Sequence, residues 1–301
     1  MYLNYKNKSR TYSWEAINKK QSNWWVTHHL SKPNQSKNKK TMANLFIKQA
    51  KQYAQGRPSY PPHLFQFIAS KTPQHDLAWD VGTGSGQAAR SLAEIYNNVI
   101  ATDTSPKQLE FATKLPNIRY QQTSPTMSSA ELEQKVGAES SVDLVTIAQA
   151  MHWFDLPVFY KQVKWVLKKP HGIIAAWCYT TPEVNDSMDK VLERFYKNPY
   201  WDSPRQMVDD KYKTIDFPFE AVDGEDSTGP FEFENERWMS LEDYFTYLRS
   251  WSAYQKAKEK GVELLSEQIV KEFKRAWGED ENGGQKLVKF PIYLRIGKVG
   301  A

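Results

Sequence analysis

The residues whose spacing first points to chemistry are Asp80, Gly82, Gly84 and Gly86 in "WDVGTGSGQAAR", and Asp103 near the end of "NNVIATDTS". Glycines at alternate positions behind an acid leave the backbone bare where a ligand can approach, and they permit angles that other residues rarely adopt. Spacing separates the candidate ligands. A dinucleotide loop needs G-x-G-x-x-G/A, and Gln87 stands where its third small residue would be. The phosphate-cradling G-x-x-x-x-G-K-[ST] is absent. A carboxylate at Asp80, expected near the strand end and facing the site, would repel a pyrophosphate and suit a cation. Asp103 falls where an acid accepts both protons of a ribose diol. Together these features describe a cationic nucleoside that lacks phosphate.

S-adenosylmethionine has that chemistry. The chain here resembles the class I S-adenosylmethionine-dependent methyltransferases, whose D/E-x-G-x-G-x-G loop is met by Asp80, Gly82, Gly84 and Gly86. The expected cofactor-binding set adds Thr83 inside the loop and Thr104 beside Asp103. "QAKQYAQGRPSYPPHLF", "AQAMHWFD" and "YLRSWSAY" resemble the plant and fungal branch related to trans-aconitate methyltransferase, over nearly everything from Met42 to the end. That resemblance implies that Tyr53 and Arg57 lie over the methionine end of the cofactor, and that Ala148 and Gln149 line it from the fourth strand. Many relatives carry an acid after the third strand, near the adenine amino group. This chain offers Ser124 and Pro125 there, which implies contact by hydroxyl and backbone.

Methyl transfer from a sulfonium is an in-line displacement, so the protein's main task is to hold donor and acceptor aligned in a dry site. A carboxylate acceptor is already ionised at pH 7, whereas a phenol or alcohol is not. His152 is the residue near the expected methyl position that could act as a catalytic base. The other reading, which the carboxylate acceptor implied by the branch resemblance favours, is a hydrogen-bonding spacer within "MHWF", packed around adenine and the methionyl chain, and both readings stay open. Trp153, Phe154 and Trp251 are candidate walls of an acceptor pocket. The branch resemblance implies a carboxylate acceptor, for which Arg57, Arg205 and Arg249 are candidate cations. The [N/D/S]-P-P-[Y/F/W] turn of base-directed amino methyltransferases is missing, since that position reads "AQAMHW". Cys178, isolated in an apolar strand, does not read as a cytosine-directed nucleophile. The expected partner is therefore a small-molecule acceptor, with no nucleic acid, membrane or metal, in a monomer or homodimer. The alternatives are a catalytically idle cofactor- or partner-binding relative, and a phenol or amine methyltransferase using His152 as base.

Positioning these residues requires an alternating scaffold. The apolar runs predict strands at Leu77–Val81, Val99–Thr102, Ile118–Gln121, Val142–Ala148 and Gly172–Cys178, with helices near His63–Ser70, Gln87–Tyr96, Pro106–Lys114 and Val158–Leu167. Strand and helix in alternation imply an α/β, Rossmann-like fold, with a mostly parallel sheet covered on both faces. "LEDYFTYLRSWSAYQKAKE" and "VELLSEQIVKEFKRAWG" read as helices; "FEFENERWM" and "VKFPIYLRIGKV" read as strands, the last antiparallel. The expected division is a basic extension at 1–41, a cofactor-binding core at 42–180, a cap at 181–260, and a helix and strand completing the core at 261–301.

Composition bounds the reading. In 301 residues no apolar run reaches the ~18 that a membrane span needs. A single cysteine fits a reducing compartment, so a cytoplasmic location is expected. The net charge of +5 belongs to the tail: residues 1–41 hold nine Lys/Arg against Glu15, leaving −3 on the rest. That balance argues against a general phosphate-binding face. The Lys/Asn/Ser-rich tail reads as a disordered extension rather than a transit peptide, with Met42 the expected working start.

Overall fold

Short apolar runs without polar alternation are buried only in a sheet covered on both faces. The computed structural model describes residues 59–278 and 284–300. Five of the runs form parallel strands: β1 (Leu77–Val81), β2 (Asn98–Asp103), β3 (Ile118–Gln122), β4 (Leu144–Ala148) and β5 (Ile173–Tyr179). Two more, β6 (Phe231–Met239) and β7 (Lys286–Lys298), complete the order β3-β2-β1-β4-β5-β7-β6. β7 runs antiparallel to both neighbours, pairing Lys298 with Ile173 of β5 and Leu294 with Phe231 of β6. The sheet is thus the mostly parallel one with an antiparallel final strand that the sequence predicts. Residues 231–239, inside the stretch expected as cap, are its edge strand.

Helices α1 (Pro62–Ser70), α2 (Gln87–Leu92), α3 (Pro106–Glu110), α4 (Ser129–Lys135) and α5 (Leu156–Val166) alternate with the parallel strands. α2 and α3 stop earlier than periodicity predicts, because the chain turns back toward the next strand. β4 begins at Leu144; Val142 makes only an isolated bridge to Leu167. One face of the sheet packs Leu64, Phe65, Ile68 and Trp177, the other Trp79, Phe159, Val163 and Tyr212.

Five further helices follow: α6 (Asp186–Tyr196), α7 (Arg205–Asp209), α8 (Leu241–Arg249), α9 (Ser252–Glu259) and α10 (Glu267–Trp277). The stretch from Leu241 to Glu259, expected as one helix, is two. Trp251 takes an extended backbone (φ −68°, ψ 141°), and the Ser250 hydroxyl donates to the Tyr247 carbonyl at 2.6 Å. The break turns the Trp251 ring into a cluster with Phe195, Tyr196, Trp201 and Tyr247, at centroid distances of 5.3–5.9 Å. α10 likewise starts later than expected, at the Ser266 cap, whose side chain accepts from Ile269 N–H.

Strand order reverses between β1 and β4, and at such a point the crevice beyond the carboxyl ends of the strands is open to a ligand. The loops after β1, β2, β3 and β4 all end there.

Candidate active site

Those loops line a cavity of about 800 Å³ that continues beneath α7 and the α8–α9 break. Gly82, Thr83 and Gly84 form its floor; Asp103, Thr104, Ser124, Ala148 and Gln149 its sides. His152, Trp153, Phe154 and Trp251 line it as well, the Phe154 ring 3.9 Å from where a Cβ on Gly82 would lie. Tyr53 and Arg57 lie outside the described residues.

The three glycines have three different causes. All have positive φ: 63° at Gly82, 57° at Gly84 and 82° at Gly86. A Cβ on Gly82 would lie 2.9 Å from the Ala150 Cβ, and one on Gly86 only 2.4 Å from the Tyr120 hydroxyl oxygen. Gly84 alone opens onto free space, with nothing within 4 Å of such an atom. Ligand approach therefore accounts for Gly84. Packing against the protein accounts for Gly82 and Gly86, and Gly86 does not line the cavity.

Asp80 corrects the sequence reading more sharply. It is fully buried, and its carboxylate turns inward instead of facing the site. Oδ2 accepts from the Thr83 hydroxyl at 2.5 Å and Oδ1 from the Thr146 hydroxyl at 2.7 Å, so Asp80 ties the glycine loop to β4. Burial raises its pKa from 3.8 to about 6, against the opposing pull of those two hydroxyls.

Asp103 stands where the sequence puts it. Its Oδ2 accepts the Gly84 N–H and its Oδ1 the Ser105 N–H, both at 2.8 Å, which locks the loops after β1 and β2 together. Each carboxylate oxygen has a further lone pair for a diol. Gln149 lines the cavity with a positive φ of 57°, but its amide is committed to β5: Nε2 donates to the Tyr179 carbonyl, and Oε1 accepts the Tyr179 N–H. The Ser124 hydroxyl sits 2.8 Å from the Thr126 carbonyl and 3.0 Å from Glu131 Oε2. Glu131, which sequence reasoning missed, supplies the acid behind the third strand, though it braces Ser124 instead of lining the cavity. The Ser128-x-x-Glu131 capping pattern at the start of α4 was the available signal.

Toward the cap, His152 Nδ1 lies 2.9 Å from the hydroxyl of Tyr212, a fully buried residue that sequence reasoning also missed. Burial, reinforced by the Arg205 charge, lowers the His152 pKa to about 4, so the ring is neutral at pH 7. Trp153 is 54% exposed and stands at the mouth; Phe154 packs on Phe159 at 4.9 Å.

The structure also separates the candidate cations. Arg249 is turned away, paired with Glu242 at 2.6 Å. Arg205 lines the cavity, its guanidinium carbon 4.8 Å from the Trp201 ring centroid. Its Nε donates to the Tyr196 hydroxyl and to Asp209, and among the described residues its Nη atoms have no hydrogen-bond partner. Asp202, on the same wall, is neutralised by Lys256.

A Gly84 backbone open to a ligand, beside the Asp103 carboxylate at a strand-order reversal, fits a nucleoside-containing cofactor. Known proteins agree. Residues 79–176 match the methyltransferase domain family. A Dictyostelium discoideum protein named as a methyltransferase is 35% identical over 83% of this chain and 92% of its own length. The Saccharomyces cerevisiae CRG1 protein, named for S-adenosylmethionine-dependent methyl transfer, is 27% identical over 67% of this chain and 78% of its own. A solved structure titled as a type II methyltransferase from Anaeromyxobacter dehalogenans superposes with a TM-score of 0.68 at 30% identity, covering 81% of this chain and 99% of that one. With residues at the crevice that suit S-adenosylmethionine, the methyl donor of the class, the chain belongs to the class I S-adenosylmethionine-dependent methyltransferases.

Proposed function

We propose that this methyltransferase acts on a small organic acid and delivers the methyl group to a carboxylate oxygen. The observation that carries the proposal is Arg205. It is a cavity-lining guanidinium, stacked on Trp201 and anchored through Nε, whose Nη atoms have no partner among the described residues. A planar fork of donors in that state suits a planar carboxylate.

The donor, when bound, supplies a methyl carbon activated by its sulfonium charge. Asp103 is placed to accept from the ribose hydroxyls, and Gly84 leaves room for close approach. Trp251, Trp201 and Tyr247 wall the acceptor end and exclude water. Arg205 orients the acceptor. A carboxylate arrives ionised at neutral pH, so the chain need not remove a proton from it. The same reading has the protein working in the cytoplasm on a small molecule, as a monomer or homodimer. It rests on the lone cysteine and on the slightly acidic balance of residues 42–301.

A panel of organic acids, phenols and amines, assayed for methyl incorporation from labelled donor, tests the proposal. Turnover should appear with carboxylates, and Arg205→Gln should raise their KM at least tenfold, about the loss of one charge-assisted hydrogen bond. Donor affinity should stay unchanged. Turnover confined to phenols or amines, and indifferent to Arg205→Gln, would sink it.

A further inference from the structure

His152 lines the cavity, and its partner behind the wall has been assigned no role. We infer that Tyr212 is a positioning residue that holds His152 in the tautomer protonated on Nε2, so that the ring offers the acceptor a hydrogen-bond donor instead of a base. The carboxylate part of this inference rests on the function proposed above. The tautomer part stands without it.

Tyr212 is fully buried, and the His152 ring is its one side-chain hydrogen-bond partner among the described residues. It is held there deliberately. Lys211 and Tyr212 both adopt left-handed backbone angles, φ 60° and 57°, which are unfavourable for long or bulky side chains and persist only where the surroundings impose them. The turn that ends α7 supplies part of the constraint, with Lys211 N–H donating to the Val208 carbonyl and Tyr212 N–H to the Met207 carbonyl, both at 2.9 Å. Buried Arg295 supplies the rest, donating from Nη1 to the Tyr212 carbonyl at 2.9 Å and to the Ile215 carbonyl at 3.3 Å.

Both members of the pair are neutral at pH 7. Burial lowers the imidazole pKa to about 4 and raises that of the phenol well above its usual value. Two arrangements remain. If Nδ1–H donated to the phenol oxygen, the phenol proton would be stranded in a dry interior with no acceptor among the described residues. A buried donor left unmade is the costlier defect. If the phenol donates to a bare Nδ1, its proton is satisfied, and the backbone N–H of His152 also bears on the phenol oxygen. The second arrangement wins.

The Arg205 charge acts on the ring only by disfavouring its protonated form. No hydrogen bond joins Arg205 to the ring, and both side chains line the same cavity. Nε2–H is then left for the ligand. An ionised carboxylate meets two donors, Arg205 and His152, while an acceptor that must first lose a proton finds no base in this imidazole.

The tautomer can be read directly. In protein labelled with nitrogen-15 at histidine, long-range proton–nitrogen correlation separates protonated from bare ring nitrogens, and a His152→Gln sample identifies the His152 signals. The expected wild-type result from pH 5.5 to 8 is a bare Nδ1 and a protonated Nε2, with Tyr212→Phe releasing a mixture. A protonated Nδ1 in the wild type, or an unchanged tautomer in a folded Tyr212→Phe variant, would overturn the assignment. If that variant does not fold, the wild-type spectrum still decides.

Kinetics with a carboxylate acceptor supply the second readout. Tyr212→Phe should raise the acceptor KM about fivefold to tenfold with donor affinity unchanged. His152→Gln, which keeps an N–H donor, should recover most of what His152→Leu loses. Equal losses in both His152 variants would count against the donor role. The expected tautomer accompanied by no turnover of any carboxylate would instead sink the proposed acceptor and leave the pair's geometry standing.

Discussion

Asp80 shows how one side chain can be right in type and different in task. In the sequence it is the acid of a glycine-loop pattern; in the fold it is a buried brace, holding Thr83 and Thr146 with one oxygen each. Its folded pKa of about 6 exceeds the ordinary value of 3.8 because burial penalises the charge. The folded state therefore holds this proton more tightly than the unfolded chain does. The contribution to stability is full below about pH 4 and is lost as pH rises through 6, by about 3 kcal/mol for this group. Asp80→Asn keeps the shape and removes the titration. Urea unfolding of both proteins at steps between pH 4 and 7.5 should show the variant gaining on the wild type by about that amount as pH rises. A pH-independent difference would mean that Asp80 ionises normally in the fold.

At the scale of elements, the turn from β1 into α2 is shaped by its neighbour as much as by a ligand. Gly86 caps α2 with a left-handed backbone, and Tyr120 of β3 occupies the space a side chain would need. Gly86→Ala meets both obstacles and should lose about 2–4 kcal/mol, from the backbone penalty together with the overpacking. Tyr120→Phe removes the oxygen at 2.4 Å and leaves the ring carbon at 3.1 Å, so the double variant should recover part of that loss. Chemical denaturation of the four proteins measures the coupling. Strict additivity would show that the contact is relieved some other way. The α8–α9 break follows the same logic: helix propensity would continue through Ser250 and Trp251, but the aromatic cluster takes the Trp251 ring out of the helix.

Across the molecule, the loops after β1 and β2 meet on the Asp103 carboxylate, so the donor contact proposed for Asp103 predicts a link between cofactor binding and stability. A ligand that binds only the folded chain stabilises it by mass action, about 2.7 kcal/mol at a hundredfold excess over Kd. For a domain of this size that amounts to about 5–10 °C in melting temperature. S-adenosylmethionine should raise the wild-type melting temperature by such an amount, and the shift should vanish in Asp103→Ala. Comparing shifts within each protein cancels any intrinsic loss from the substitution. An undiminished shift in the variant would remove Asp103 from the donor site.

What the sequence determined by itself is what period and spacing encode. Apolar runs bounded by helical stretches specify the five parallel strands, and the acid–glycine pattern and Asp103 mark the ends of β1 and β2 beside the strand-order reversal, because both are local in the chain and follow backbone geometry. Which glycine faces a ligand, which way Asp80 points, and which arginine reaches the cavity were decided only in three dimensions. Tyr120 and Thr146 lie 34 and 66 residues from the positions they govern, Gly86 and Asp80, and no periodicity carries that information. Tyr212 is the extreme case. It lies 60 residues from His152 in an irregular turn, where its N–H donates to the Met207 carbonyl and its own carbonyl accepts from the buried Arg295 of β7, and together these hold the backbone that brings the two rings together.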